Sequence, residues 1–307
     1  MKYLIFVINI LKVIGLIIFT SIGNIFKFFI PKKYAMKSVN NKVVLITGAG
    51  NGLGAALAIK FAKQRCRLVL WETDIDSLKI IIDECKKYQS DLFVLGIQVD
   101  ISNRSQIINA ADMVKTKVGF VDIIINNAGV AFTSSITEME ENNIRKTLNV
   151  NGLSQIWIVQ SFLQDMFSRN SGHVVSISSF TGLVGVRKLA DYCFSKFAVA
   201  GFQESLLHEI YSAKKSGLHV LTVYPFHMKT KMFQNYKFDC PILKSLEVEY
   251  VASKIEEAIL TNATVLYLPK LLHFLVILKY VLPTKCFLCL LNVLLGIPNN
   301  EKKVKEN

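Results

Sequence analysis

The apolar positions of this 307-residue chain fall into three regimes. From Tyr3 to Ile30 almost every residue is apolar. From about 41 to 262 short apolar runs alternate with segments of helical periodicity. From Val265 to Ile297 apolar stretches return, interrupted by Pro269, Lys270, Lys279, Pro283 and Lys285. In the middle regime the strand-like runs lie near 43–47, 67–71, 92–98, 121–126, 173–178, 218–224 and 264–268. Continuous runs of this kind, separated by helical segments, predict strands covered on both faces. The expected class is α/β, a doubly wound parallel sheet with its site at the C-terminal ends of the strands. The chain divides accordingly into an apolar N-terminal membrane anchor (1–30), a basic linker (31–40), a single α/β domain (41–262), apolar C-terminal helices (263–298) and a polar tail (299–307).

The run Val43-Val44-Leu45-Ile46 is followed by Thr47-Gly48-Ala49-Gly50-Asn51-Gly52-Leu53-Gly54 and then by the helix-like Ala55 to Ala62. Strand, glycine turn and helix are what a dinucleotide needs. The turn is tight, the backbone must approach a pyrophosphate, and the N–H groups of the helix N-terminus carry its charge. This makes the sheet Rossmann-type and places Gly48, Asn51, Gly52, Leu53 and Gly54 against the cofactor. The second strand ends at Glu72, roughly 20 residues on, where a carboxylate accepts hydrogen bonds from the adenosine ribose and repels a 2′-phosphate. No Arg or Lys stands at Asn51, Ala55 or Thr73 to neutralise such a phosphate. NAD is therefore expected over NADP. Asp100, after the third run, is placed against the adenine amino group, and Asn127, Ala128 and Gly129, after Ile123-Ile124-Ile125, close the cofactor floor.

Further along, Tyr192 and Lys196 lie one helical turn apart on one face. A free tyrosine, at about 10, is too weak a base for proton exchange with an alcohol, and a neighbouring ammonium favours the phenolate. The glycine pattern, Asn126-Asn127-Ala128-Gly129, Ser179, Tyr192 and Lys196 occur in this order and spacing, and over about 41–262 the chain resembles the short-chain dehydrogenase/reductase family. The strings at 68–72, 192–198 and 224–233 are similar to its membrane-associated branch of retinol and 17-beta-hydroxysteroid dehydrogenases. The resemblance implies that Ser179 hydrogen-bonds the substrate oxygen, Ser176 and Ser178 being nearby decoys. It also implies that Lys196 holds the nicotinamide ribose. Asn149 and Asn151 are both candidates for the family's catalytic asparagine. Counting back from the helix that contains Trp157, Phe162, Leu163 and Met166, the family's Val-Asn pair falls on Val150 and Asn151, so Asn151 is chosen. Its implied role is to kink that helix and hold a water that relays protons to Lys196. Pro225 and Thr230 match the segment that contacts the nicotinamide carboxamide, with Thr230 a partner for the pyrophosphate or amide. Phe226 stands where many members carry glycine, and His227 is expected to face solvent rather than reach a substrate.

A hydrophobic fraction of 51% exceeds what one such domain requires, and the excess is terminal. Too few residues separate Lys12 from Lys27 for a helix of ~20 apolar residues to cross a bilayer unless the lysines snorkel. Lys2, Asn9, Lys12, Thr20, Asn24 and Lys27 share one helical face, a pattern that suits a helix lying in one leaflet or a hairpin. If the segment spans, Lys32, Lys33, Lys37 and Lys42 keep the following domain in the cytosol. The C-terminal pieces are too short to span and suit amphipathic helices that cover the substrate entrance and touch the membrane; core or oligomer-interface helix is the alternative.

A net charge of +13 raises the question of nucleic acid, but the cations are dispersed or flank apolar segments and no nucleic-acid motif is present; anionic lipid headgroups are the expected partner. The six cysteines form no disulfide framework, and Cys286 and Cys289, a CxxC within an apolar stretch, lack a second pair; no metal site is predicted.

Together these readings predict an NAD-dependent oxidoreductase that interconverts a lipophilic alcohol (retinol, a hydroxysteroid or a related lipid) and its carbonyl. The family branch implies a homodimer at the endoplasmic reticulum membrane or a lipid droplet, with its catalytic domain in the cytosol. Two alternatives stand beside it: an NADPH-dependent carbonyl reductase of the same fold, and a membrane or lipid-droplet binding protein with little turnover.

Overall fold

The computed structural model describes residues 2–29, 32–88, 91–230, 232 and 243–296. Two compact units divide the chain, 1–38 and 39–307. The first contains helix α1 (Lys2–Phe29) and the short α2 (Lys32–Ala35). At 28 residues α1 is about 42 Å long. Within it the Thr20 hydroxyl donates back to the carbonyls of Leu16 (2.8 Å) and Ile17 (3.1 Å), so this polar side chain is satisfied by its own helix. Among the described residues no helix is long and apolar enough to cross a membrane.

The second unit is built on seven strands: β1 (Val43–Thr47), β2 (Arg67–Glu72), β3 (Val94–Gln98), β4 (Ile123–Asn126), β5 (Gly172–Ile177), β6 (Leu218–Pro225) and β7 (Val265–Leu268). They form one sheet in the order β3-β2-β1-β4-β5-β6-β7, and every neighbouring pair is parallel. All seven lie within two residues of the predicted runs. The reason is burial: β1, β4 and β5 are covered throughout, so apolar residues dominate them, and the polar Thr47, Asn126, His173 and Ser176 are buried with the rest. The chain reverses its winding direction at β1, which pairs with β2 on one side and β4 on the other, and the crevice that opens there beyond the strand ends is where a ligand seats.

Helices α3 (Gly52–Lys63), α4 (Ile75–Lys86) and α9 (Val248–Leu260) pack on one face, where Val44, Ile46, Leu57, Phe61 and Ile255 share a core. On the opposite face α5 (Arg104–Lys117), α7 (Ser154–Arg169) and α8 (Ala190–Ser212) close a second core around Leu45, Trp71, Ile124 and Phe162. Trp71 and Phe162 meet there at a tilt, their ring centres 6.4 Å apart. Cys66 and Cys85 belong to the first core, and burial pushes both thiols up to about 12. Helix α6 (Glu141–Leu148) leads into α7 through a single π turn, Asn149–Leu153.

The last strand, β7, opens the segment read from the sequence as C-terminal helices; α10 (Leu271–Val281) and α11 (Thr284–Leu294) follow it. Leu272, Leu275, Phe287, Leu291, Leu294 and Leu295 form a third apolar cluster with Phe180, Val184, Val186, Leu189, Tyr192 and Phe226. Leu271, Phe274, Ile277, Tyr280, Val281, Leu288 and Val293, with the thiols of Cys286 and Cys289, face outward.

Candidate active site

At the end of β1 the chain turns through Gly48, whose φ of +64° favours glycine, and enters α3 at Gly52, φ +51°. Gly54 answers to a different constraint: a Cβ there would stand 1.9 Å from the Gly48 carbonyl oxygen, so the helix meets the turn at backbone distance. Asn51 caps α3 with an extended backbone and makes no side-chain cap hydrogen bond, which leaves the first-turn N–H groups directed at the crevice. The opposite wall comes from β4. Asn127 Nδ2 donates to the carbonyls of Thr47 (2.9 Å) and Gly48 (3.2 Å), and the Thr47 hydroxyl accepts from the N–H groups of Asn127 and Ala128, each at 3.1 Å. Asn127 thus fixes the glycine turn and the floor as one piece.

Glu72, the last residue of β2, is anchored by backbone. Its Oε2 accepts from Gly50 N at 3.0 Å and its Oε1 from Thr73 N at 2.8 Å. Asp100 accepts from Ser102 N at 2.9 Å, and its own N–H donates to Gln106 at 2.8 Å. Thr230 comes within reach of the glycine turn, its methyl 3.7 Å from where a Cβ on Gly52 would lie.

Gly48, Asn51, Gly52, Glu72, Thr73, Asp100, Asn127, Ala128 and Thr230 line a single cavity of about 790 Å³, together with Leu53, Gly129, Ser179, Tyr192, Lys196 and Pro225. Gly54 and Asn151 stand behind the wall. Asn151 is fully buried in the π turn, where its Oδ1 accepts from Val130 N (2.8 Å) and its Nδ2 donates to Val130 O (2.9 Å) and to the Ser195 hydroxyl (3.0 Å). The π turn inserts one residue between α6 and α7, and Asn149 lies at its start, where its backbone carbonyl accepts from Ser154 N.

Ser179 heads a 3-10 turn, Phe180–Gly182, and accepts from Thr181 N at 3.2 Å. It also hydrogen-bonds the Tyr192 phenol. Ser178, by contrast, donates to the Lys196 carbonyl at 2.9 Å, and Ser176 is bound by Gln203, so both decoys serve the scaffold. Lys196 Nζ donates to Ile177 O at 2.9 Å and lies 5.5 Å from the centre of the Tyr192 ring.

The electrostatics depart from expectation here. Burial pushes the Tyr192 phenol well above its ordinary range, with the Ser179 hydrogen bond opposing it, and burial draws Lys196 down to about 8. Lys196 was expected to draw the phenol downward. In this structure desolvation of both groups outweighs that attraction, because the ammonium is held at a backbone carbonyl rather than at the phenol oxygen.

The remaining wall is apolar and was only partly legible: Phe180, Val186, Leu189, Phe226, Met228, Met232 and Leu295 line it. Phe226 packs at a tilt on Phe180, ring centres 5.6 Å apart. His227 also lines the cavity rather than facing bulk solvent. Its Nδ1 lies 2.9 Å from the Ser245 hydroxyl, and burial lowers its pKa. Trp71, Val99, Ile101, Lys146 and Val150 complete the cofactor side. Sequence reading gave Trp71, Val99 and Ile101 no role in the site, since apolar residues at or beside strand ends carry no signal apart from core, and Lys146 on α6 reads as one more cation of a solvated helix face. It also missed Ser195, whose position three residues after Tyr192 on α8 is its one clue.

A family profile described as short chain dehydrogenase matches residues 42–240. Epidermal retinol dehydrogenase 2 of Mus musculus is 40% identical over 253 residues, covering 81% of each chain. Mus musculus 17-beta-hydroxysteroid dehydrogenase 13 is 36% identical over 273 residues, covering 89% of this chain and 88% of the relative. Among solved structures, a short-chain dehydrogenase/reductase from Burkholderia phymatum in complex with NAD superposes with a TM-score of 0.72 at 26% identity, over 80% of this chain and 95% of that one. A metagenomic short-chain oxidoreductase in complex with NADP shares the fold, with a TM-score of 0.63 at 23% identity over 75% and 96%. The chain belongs to the short-chain dehydrogenase/reductase family and is an oxidoreductase.

Proposed function

We propose that the protein is an NAD-preferring dehydrogenase of a lipophilic alcohol, with Ser179, Tyr192, Lys196 and Asn151 as its catalytic set. The observation that carries this reading is that one cavity is lined at once by Glu72, by Ser179, Tyr192 and Lys196, and by an apolar wall from Phe180 to Leu295. The printed activities of the relatives, on retinol and on 17-beta-hydroxysteroids, fit such a wall.

The glycine turn and the first turn of α3 suit a pyrophosphate, and Glu72, Asp100 and Asn127 suit the adenosine half. Glu72 supports NAD over NADP, because a carboxylate held by Gly50 N and Thr73 N stands where a 2′-phosphate would lie. The bound nicotinamide supplies the acceptor or donor of hydride. The chain's own residues manage the oxygen and its proton. Ser179 and Tyr192 hold the substrate oxygen, and Tyr192 takes the hydroxyl proton on oxidation and returns it on reduction. Lys196 binds the ribose hydroxyls and supplies the positive charge that the buried phenol needs. Asn151 orders the turn behind them. Thr230 and Pro225 face the nicotinamide and pyrophosphate.

Apolar residues exposed along α1, among them Phe6, Leu11, Ile17 and Phe19, support an anchor at the endoplasmic reticulum membrane or a lipid-droplet surface. The catalytic unit then lies in the cytosol, as a homodimer. The deciding experiment is NADH formation by the full chain in detergent with all-trans-retinol and with estradiol, offering NAD and NADP separately. NAD-dependent turnover on either supports the reading; cofactor binding without turnover on any lipid alcohol overturns it.

A further inference from the structure

Lys279 sits on α10, far in sequence from the catalytic residues, yet its Nζ donates to the Leu183 carbonyl at 2.7 Å. Leu183 is the residue that ends the 3-10 turn headed by Ser179, and its own N–H is committed to Phe180 O at 3.0 Å. The same ammonium lies 5.1 Å from the ring centre of Phe197, the neighbour of Lys196 on α8, and 5.3 Å from that of Tyr280. A half-buried ammonium has given up part of its water, and a carbonyl with two aromatic faces replaces it. Nothing in apolar packing alone calls for a lysine here: α10 also contributes Leu272 and Leu275 to the cluster that includes Tyr192 and Leu295.

We infer that Lys279 is a positioning and specificity-determining residue, a latch that holds the C-terminal helices against the loop following Ser179 and so builds the distal wall of the substrate site for large lipophilic alcohols. The inference rests on the proposed function for its substrate. Leu295 extends that wall into the cavity, and it reaches there through the cluster that α10 and α11 share. Lys279 itself lines no part of the cavity, so it acts through the segment it holds.

The test compares Lys279→Met, which keeps the stem and loses the donor, with Lys279→Arg, which keeps donor and charge, in the full-length protein in detergent. Loss of one charge-assisted hydrogen bond is expected to raise KM for all-trans-retinol by about tenfold in Lys279→Met. Its kcat, and KM for cyclohexanol, a probe too small to touch the distal wall, stay at the wild-type value. Amide hydrogen exchange over 183–189 and 271–282 is expected to quicken in the same variant, and Lys279→Arg to restore both readouts. Unchanged exchange, an equal kcat loss on both alcohols, or an arginine variant that behaves as the methionine one overturns the latch. If Lys279→Met does not fold, Phe197→Leu removes one ring and keeps the donor, and must give faster exchange over the same segments. A wild type without turnover on either alcohol sinks the functional reading alone, and exchange still decides the latch.

Discussion

The Asn151 side chain donates to the Ser195 hydroxyl at 3.0 Å, and Ser195 in turn donates to the Tyr192 carbonyl at 2.7 Å. A fully buried amide in the π turn is thereby joined to the backbone of the helix that bears Tyr192 and Lys196. Asn151→Ala is expected to leave Ser195 and the Val130 backbone with unmet bonds, lowering stability by about 2 kcal/mol and turnover by at least tenfold. Thermal melts and kcat check the pair of effects. A double-mutant cycle with Ser195→Ala should return a coupling of roughly 1 kcal/mol, whereas strict additivity would deny the connection.

Tyr192→Phe removes one oxygen from a site that is otherwise packed and buried. NADH affinity, read by fluorescence, is expected to change little, while kcat falls by roughly 10²- to 10⁴-fold, the range of general acid/base catalysis. A variant that kept wild-type turnover would exclude Tyr192 as the proton carrier.

Glu72 ties down Gly50 and Thr73, and in the proposed function it also selects against a 2′-phosphate. Glu72→Ser should therefore move the ratio of NAD to NADP affinity toward NADP by roughly 10²-fold, about 3 kcal/mol. Some absolute NAD affinity should be lost with the anchor. Isothermal titration with the two cofactors measures both quantities, and an unmoved ratio would place selectivity elsewhere.

The Lys196 shift has a pH signature. Its folded pKa is about 8 against an ordinary 10.5, so between those values the unfolded chain binds the proton and the folded chain does not. Stability contributed by this group therefore rises with pH across that window, and below it the desolvation penalty is felt in full. The raised Tyr192 phenol acts in the opposite sense above its ordinary value of 10.0, where the unfolded tyrosine ionises first. Urea denaturation of wild type and Lys196→Met between pH 8 and 10 should show the extra upward slope in wild type only.

Gly54→Ala brings a methyl group to 1.9 Å from the Gly48 oxygen. The strand-turn-helix unit must open to admit it, at a cost of roughly 1–3 kcal/mol, and cofactor affinity should fall with it. A melting temperature and NADH affinity both equal to wild type would mean that the turn is looser than its geometry.

The sheet was readable because its inner strands are covered on both faces, which favours apolar runs such as the three isoleucines at 123–125. The cofactor turn was readable because Gly48, Gly52 and Gly54 each meet a backbone constraint that only glycine satisfies easily. Tyr192 and Lys196 stood out through helical spacing. Their protonation behaviour did not, since it depends on how deeply two residues are buried and on where Lys196 Nζ points. Nor did the π turn, because Leu148 to Leu153 reads as ordinary helix and one inserted residue leaves no local mark. The contact of Lys279 with Leu183 joins segments 96 residues apart, and no periodicity reports such a meeting. Within 224–233, the segment that resembles the membrane-associated branch, Lys231 and Phe233 lie outside the described residues, as does the stretch 234–242.

The distribution of sulfur has a practical consequence. Cys66, Cys85 and Cys193 are buried with raised pKa values, whereas Cys286 and Cys289 are exposed on α11. A maleimide applied at neutral pH will therefore discriminate among them by access and by thiolate fraction. Once Cys240, outside the described residues, is replaced by serine, a fluorophore will settle on α11 without chemistry at the core. The native chain thus carries its own attachment point for an optical probe on the helix beside the substrate wall.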